Sequence, residues 1–455
     1  MKPTEKLSQF TQSLGFRSLV IAILTLIMLI PLLFVNDTIR ERSNRYHGVL
    51  SEIANTWGKQ QTITGPVLVV PYVKHLVTIN TITDNKGESK TISKDVFNDK
   101  SMIILPQELD ISGEMQENYR KRGIYHSLVY SADLTLQGHF NIEALLEACS
   151  SQCSINWDKA WLAVGLNDTK AITEASHMNW DGASISISPG SKIPSLIHNG
   201  FHAQLNGAAP KTPLPTFRMH LTVNGSKGIR FAPLGEVTTA KITSSWPHPS
   251  FQGEVPPKEQ EITSDGFSAK WQIPNLARNY PQHWNMAEKN TDPQRLLSPS
   301  YDLYRFTTGV DLFEPVSLYS KISRASKYGI LFIALTYITF LIFELTVRTK
   351  PHFVQYILIG LALSLFYLLL VSLAEHIAFL YAYLVAAGVT VLLITLYTSA
   401  VLEKKSRALW VGLLLTGLYG VLYTLLHMED YALLAGSALL LVVLSVLMYV
   451  TRRIT

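Results

Sequence analysis

Charge is scarce in this chain. Asp, Glu, Lys and Arg make up 16% of its 455 residues, against about 25% in an ordinary soluble domain. The net charge is only +5. No Lys/Arg run reaches the density of a nucleic-acid site, which argues against nucleic acid as a partner. Cysteine is reduced to Cys149 and Cys153. No His or further Cys stands near them at ligand spacing, which disfavours a metal site. The sequence carries no P-loop, no dinucleotide fingerprint and no HExxH. His248 and Ser250 stand close together, but no nucleophile elbow surrounds them. No catalytic residue, cofactor or metal is therefore assigned, and an enzyme is not the expected reading.

What the chain has instead is hydrocarbon, unevenly placed. The first apolar run is SLVIAILTLIMLIPLLFV, residues 18–35. It is long enough to span a bilayer, and no small-residue cleavage site follows it. It reads as an uncleaved anchor, with Pro31 as a kink. Five further runs follow a long polar region: 328–347, 353–373, 377–400, 409–426 and 431–450. The expected fold is a membrane α-helical bundle of about six transmembrane helices plus a β-rich, sandwich-like periplasmic domain. The expected boundaries are a tail over 1–17, the anchor over 18–35, the polar domain over 36–327, a five-helix bundle over 328–450 and a tail over 451–455.

The short loops give the orientation. Arg348 and Lys350, then Lys404, Lys405 and Arg407, then Arg452 and Arg453 mark one side. The alternate turns carry Glu375-His376 and His427-Met428-Glu429-Asp430, with no Lys or Arg. The excess of Lys and Arg puts the basic loops and both termini in the cytoplasm and the polar domain in the periplasm. Arg40, Arg42 and Arg45, and Lys321, Arg324 and Lys327, fall on the outer side against this rule. They flank a domain long enough to escape it.

Ile39, Tyr46, Leu50, Ile53 and Trp57 recur at helical spacing and stop at Gly58. The anchor is expected to continue outward as an amphipathic helix with its arginines on the wet face. From Thr64 onward, short Val/Ile/Thr/aromatic segments alternate with turn signals at 84–87, 224–225 and 265–266. They predict antiparallel sheets. Asn141 to Ala148 reads as a short helix with an Asn cap. LTLQGHF before WLAVGLND, and PSFQGEV before GFSAKWQI, raise the idea of two related halves. The Trp-, Pro- and His-rich region 242–315 is either packing and turns or a binding groove.

Several stretches together resemble the CreD family. They are TGPVLVVPY (64–72), KRGIYHSLVYSADLTLQGHF (121–140), SSWPHPSFQG (244–253), ARNYPQHW (277–284), RASKYGILFIALTYITFLIFEL (324–345), PHFVQYILIGLALSLFYLLLVSLAEHIAF (351–379) and LLHMEDYALLAGS (425–437). The resemblance implies an inner-membrane protein of cell-envelope integrity with one anchor, a periplasmic β-rich domain and a C-terminal bundle. It also implies control by a two-component response and links to colicin tolerance and β-lactam response. It brings no reaction and no catalytic residues. The cysteine pair stands outside the family pattern. A Cys149–Cys153 bridge rests on an oxidising compartment and short spacing, and two free thiols are the alternative.

Two polar features mark the bundle. Glu344 and Arg348 stand at i and i+4, either as an interfacial ion pair or with Glu344 as a buried proton-relay carboxylate. Glu375, His376, His427, Glu429 and Asp430 lie in the two outward turns. They form either one polar cluster beneath the periplasmic domain or two solvated hairpin turns. The first functional expectation is a non-enzymatic envelope protein whose domain binds a periplasmic protein or a cell-wall component, with the bundle in the lipid bilayer. The alternative is a small transporter or membrane-embedded enzyme using the outer carboxylates and histidines. A sensor needing a separate output protein is a third. The sequence names no ligand and fixes no oligomeric state. If the outer carboxylates work in transport or catalysis, Glu375, Glu429 and Asp430 to Ala, singly and together, abolish envelope-stress complementation at normal abundance. Unchanged complementation counts against that reading.

Overall fold

The computed structural model describes residues 14–83, 89–150, 153–175, 177–286, 301–314, 318–347, 352–401 and 405–427, with scattered positions from 434 to 448. The helices are α1 (Leu14–Ile27), α2 (Leu29–Trp57), α3 (Glu143–Ala148), α4 (Leu318–Lys327), α5 (Gly329–Val347), α6 (Phe353–Ala374), α7 (Phe379–Val401) and α8 (Lys405–His427). Two compact units result, one of residues 1–48 with 316–455 and one of 49–315.

In the first unit, four described helical stretches are long and apolar enough to cross a membrane: Arg17–Trp57, Phe353–Ala374, Phe379–Val401 and Ser406–Leu426. Helix α5 forms over the second expected run and has 19 residues. The last expected run, 431–450, is described only at scattered positions. Helices α1 and α2 are one path interrupted at Met28. Pro31 has no N–H to offer the carbonyl of Ile27, four residues back, so the ladder opens there. Bonds from Met28 N–H to Leu24 O and from Leu32 N–H to Met28 O carry the chain through. The core of this unit is aromatic and aliphatic, with Met28, Phe332, Tyr337, Phe366, Tyr367 and Leu422 all buried. Its helices touch closely where side chains are small. The Cβ that Gly360 lacks would lie within 2.1 Å of the Tyr337 hydroxyl and 2.6 Å of the Met28 sulfur. That hydroxyl donates to Tyr356 O at 2.6 Å.

The second unit consists, among its described residues, of a ten-stranded and a nine-stranded sheet. Residues of both sheets belong to one hydrophobic core. The alternation is direct. In Gly266–Pro274 every second residue is buried: Phe267, Ala269, Trp271 and Ile273. This is the period-two pattern of a strand with one wet face. Phe231 and Phe251 of one sheet meet Trp271 of the other edge-on, at 5.6 and 5.9 Å between centroids.

Pairing is mostly antiparallel, with two departures from expectation. Gln61–Ile63 runs parallel to Ile229–Phe231, and Val237–Ser244 runs parallel to Glu108–Met115. Parallel pairs need long crossovers, and alternation alone does not reveal direction. A second correction concerns Asn224-Gly225. These residues continue the strand Thr216–Ser226 instead of turning. Gly225 is needed because the Tyr130 ring lies 2.3 Å from where its Cβ would stand. The turn falls at Lys227, whose φ is +67°. Asp265-Gly266 does sit at a hairpin bend, between Glu259–Thr263 and Gly266–Pro274. The strands flanking 84–87 pair up to Thr83 with Ser89, while the turn itself lies outside the described residues. The two-halves idea fails on topology. LTLQGHF and GFSAKWQI lie in the nine-stranded sheet, but WLAVGL and PSFQG lie in the other.

The short helix expected from Asn141 begins at Glu143, whose N–H is taken by Asn141 Oδ1 at 2.9 Å. Cys149 and Cys153 are bonded to each other, with 5.0 Å between their Cα atoms. The described parts of the aromatic region, 242–286 and 301–314, are largely strand and packing. Trp246 Nε1 donates to the carbonyls of His248 and Phe313, both at 3.1 Å. Ser250 Oγ accepts from Gln252 Nε2 at 2.8 Å.

Helix α2 ends inside this unit. Trp57 Nε1 donates to Tyr130 O at 3.2 Å, and the Arg120 guanidinium lies 3.7 Å over the Trp57 ring. Arg122 pairs with Glu52 at 3.0 Å. Gly58 then closes the helix, its N–H bonding Ala54 O. Its φ is +153°, and a Cβ would sit 2.5 Å from Asn224 O. Only glycine fits this approach.

The segment ARNYPQHW is held by one buried cation. Arg278 is 8% exposed. Its guanidinium donates to Tyr280 O at 2.8 Å and Leu234 O at 3.0 Å, and it also bonds Gln282 Oε1. It lies 4.4 Å from the Tyr280 ring centroid. Burial lowers the Arg278 pKa, and burial raises that of Tyr280 to about 12. Replacing Arg278 strands several buried acceptors at once. Arg278→Leu is expected to cost the sheet unit about 2–4 kcal/mol, read as a lowered midpoint in chemical denaturation followed by tryptophan fluorescence. A loss below about 0.5 kcal/mol would contradict the assignment.

Candidate functional site

The candidate site is built where α6 turns into α7. The turn is tight: Glu375 N–H bonds Val371 O, and the N–H groups of His376 and Ile377 both bond Leu373 O. This folds the Glu375 side chain back against the unit, leaving it 8% exposed. Its carboxylate accepts from the Tyr319 hydroxyl at 2.8 Å. It also pairs with Arg42 Nη1 at 3.6 Å, whose side chain is 40% exposed.

Each partner is placed by a simple pattern. Helix α4 buries Tyr319, Ile322, Ala325 and Ser326, one stripe at helical spacing. Tyr319 therefore faces inward while Lys327 faces out. On α2, Asn36 and Tyr46 reach α4, and Arg42 reaches the α6–α7 turn. Ser326 Oγ donates to Asn36 Oδ1 at 2.6 Å, and the Tyr46 and Tyr319 rings lie 5.5 Å apart. Three separate stretches of sequence thus meet at one carboxylate.

Arg42 is reached by water, as expected, but it also pairs with Glu375. Arg40 and Arg45 are exposed, but Arg42 is drawn onto Glu375. A carboxylate with little access to water needs donors, and Arg42 is in reach. The arginines that broke the charge rule were the available signal. An arginine at helical spacing that the charge rule left unexplained was the partner of an acid in a short turn. The helix Leu318–Lys327 was also missed, although its apolar spacing is legible once it is separated from the sheet unit.

Of the other candidate residues, His376 is exposed in the turn. His427 ends α8, but its side chain lies outside the described residues, as do Glu429 and Asp430. Glu344 lies within α5. Its side chain and Arg348 are outside the described residues, so their expected pair is too. Among the described residues, no group of three His, Cys, Asp or Glu could hold a metal ion. Glu375 accepts from a phenol and pairs with a cation, and these contacts tie α2 and α4 to the α6–α7 turn.

The asymmetry of the pair is testable. Arg42→Ala leaves a poorly hydrated carboxylate with one donor, and is expected to cost about 2–3 kcal/mol. Glu375→Gln keeps an acceptor for Tyr319 and frees an Arg42 that water already reaches, so its cost is about 1 kcal/mol or less. Unfolding of the full chain in detergent micelles checks the order. The reverse order would contradict the geometry.

The comparisons with known proteins point to one family. The family model described as "Inner membrane protein CreD" matches residues 13–455. The "Inner membrane protein CreD" of Escherichia coli (strain K12) is 30% identical over 431 residues, covering 94% of this chain and 90% of its own length. Among solved structures, a mutant M1 zinc metallopeptidase from Deinococcus radiodurans covers 37% of this chain and 39% of its own, at 11% identity. Its TM-score of 0.18 is too low to carry an argument. The full-length family match and the relative in Escherichia coli both place the chain in one group: it belongs to the CreD family of inner membrane proteins.

Proposed function

We propose that this protein serves cell-envelope integrity without catalysis. The two-sheet unit is read as a periplasmic sandwich that binds an envelope partner, either a protein or a cell-wall component. Six spans anchor it, with both termini in the cytoplasm. The basic short loops support this orientation. The bonded pair Cys149–Cys153 is in keeping with an oxidising compartment.

The observation that carries the reading is the engagement of Glu375. A transport or catalytic carboxylate must exchange a proton or bind a substrate. Glu375 instead holds Tyr319 and Arg42, which suits an anchor that keeps its helices in register. Helix α2 also runs unbroken for 29 residues, about 43 Å at 1.5 Å per residue, from the apolar anchor to Trp57.

Two measurements test the proposal. An alkaline phosphatase reporter inserted after residue 286 should be active, and one at the C-terminus should be inactive; the opposite pattern overturns the orientation. Periplasmic crosslinking followed by purification of the full chain should recover one recurrent partner under envelope stress. Recovery of none, with wild-type abundance, would overturn partner binding.

A further inference from the structure

Helices α7 and α8 lie side by side but leave between them a furrow of about 950 Å3. Its walls are apolar, and four glycines line it: Gly388, Gly412, Gly417 and Gly420. Only one of these serves close helix packing. The Cβ that Gly412 lacks would meet the Thr395 hydroxyl at 2.7 Å, so the helices touch there. At Gly388, Gly417 and Gly420 a Cβ would meet nothing within 4 Å. In a membrane helix, glycine usually permits close backbone approach. Each glycine costs about 0.8–1 kcal/mol of helix propensity relative to alanine. Three that touch nothing keep a space open.

The shape of that space points to its occupant. Its lining includes the close Thr395–Gly412 contact and extends to Leu380 and Tyr423. From Leu380 to Thr395 is about 22 Å of helix, and one leaflet's hydrocarbon is about 15 Å deep. An occupant lying along it reaches past the midplane. Gly436 does not line it; the Cβ that Gly436 lacks would lie 2.9 Å from the Tyr328 hydroxyl.

The mouth near Leu380 carries a cation. Phe379 stands one turn before Tyr383, which lines the furrow, and their rings are 6.1 Å apart. Lys321 Nζ lies 5.4 Å from the Phe379 ring centroid. Lys321 has no carboxylate partner among the described residues. The nearby Glu375 is engaged by Arg42 and Tyr319, and His376 is exposed.

We infer that this furrow binds one lipid phosphate whose chain is longer than a single leaflet's acyl chain. The hydrocarbon lies against Gly388, Gly417 and Gly420, and the phosphate sits at Lys321. Only the name of the leaflet rests on the proposed orientation; binding itself does not.

The test uses the full chain in nanodiscs of phosphatidylcholine, with native mass spectrometry and thermal unfolding as readouts. The probes are a polyprenyl phosphate, the matching polyprenol and phosphatidylglycerol. The expected result is one polyprenyl phosphate retained per chain and a raised melting temperature, with at least tenfold weaker retention of the other two. Gly417→Leu and Gly420→Leu project into open space and should hold or raise unliganded melting while abolishing retention. Lys321→Gln should weaken the phosphate at least fivefold and leave the polyprenol unaffected. Equal retention of phosphatidylglycerol would overturn the inference, as would unchanged binding by both glycine variants. So would disulfide crosslinking of two chains through Gly417→Cys, which would mark the furrow as a contact between copies.

Discussion

The Arg42–Glu375–Tyr319 link joins pieces of the membrane unit that stand far apart in the chain. That unit is assembled from two distant pieces, residues 1–48 and 316–455, with the whole sheet unit between them in sequence. Closing so long an interval costs entropy. Lipid gives little in return, because hydrocarbon is as apolar as leucine and cannot drive helices together. Close packing and hydrogen bonds have to specify the match. Ser326–Asn36 and Glu375 with its two donors provide that between the pieces, and Tyr337–Tyr356 does the same within the later one.

The sheet unit solves a different problem with different means. It has water on its outer faces and can bury apolar side chains for gain, so alternation along each strand suffices to build its core. Its special residues are where backbone approaches backbone. Gly58 passes under Asn224, Gly225 makes room for the Tyr130 ring, and Arg278 gathers the carbonyls of Tyr280 and Leu234. Helix α2 belongs to both regimes. Its early residues Leu32, Val35 and Ile39 are buried among helices, and its last, Trp57, is fixed by Tyr130 and Arg120.

Much of this was legible in the sequence. Apolar runs of bilayer length gave the helices, because hydrocarbon tolerates no other open backbone. Period-two alternation gave the strands, and Ile39 to Trp57 gave the outward helix to within one residue of its end. What escaped was whatever depends on partners far apart in the chain. The parallel pairing of Val237–Ser244 with Glu108–Met115 leaves no local trace. Asn224-Gly225 carries a turn signal, but its glycine answers to Tyr130. Glu375 stood out as an outward acid, yet its partners Arg42 and Tyr319 lie in stretches that read as the ends of a polar domain. The furrow was hidden for a related reason: a glycine that packs and a glycine that keeps space open look alike in sequence.

The central claim is that Glu375 works by holding Arg42, and charge exchange tests it most directly. Arg42→Glu and Glu375→Arg should each lower the stability of the full chain in detergent. The double exchange should recover at least half of the summed loss, because each charge again faces its opposite. If the double variant is as unstable as the sum of the two single variants, the two residues are not coupled and the account fails.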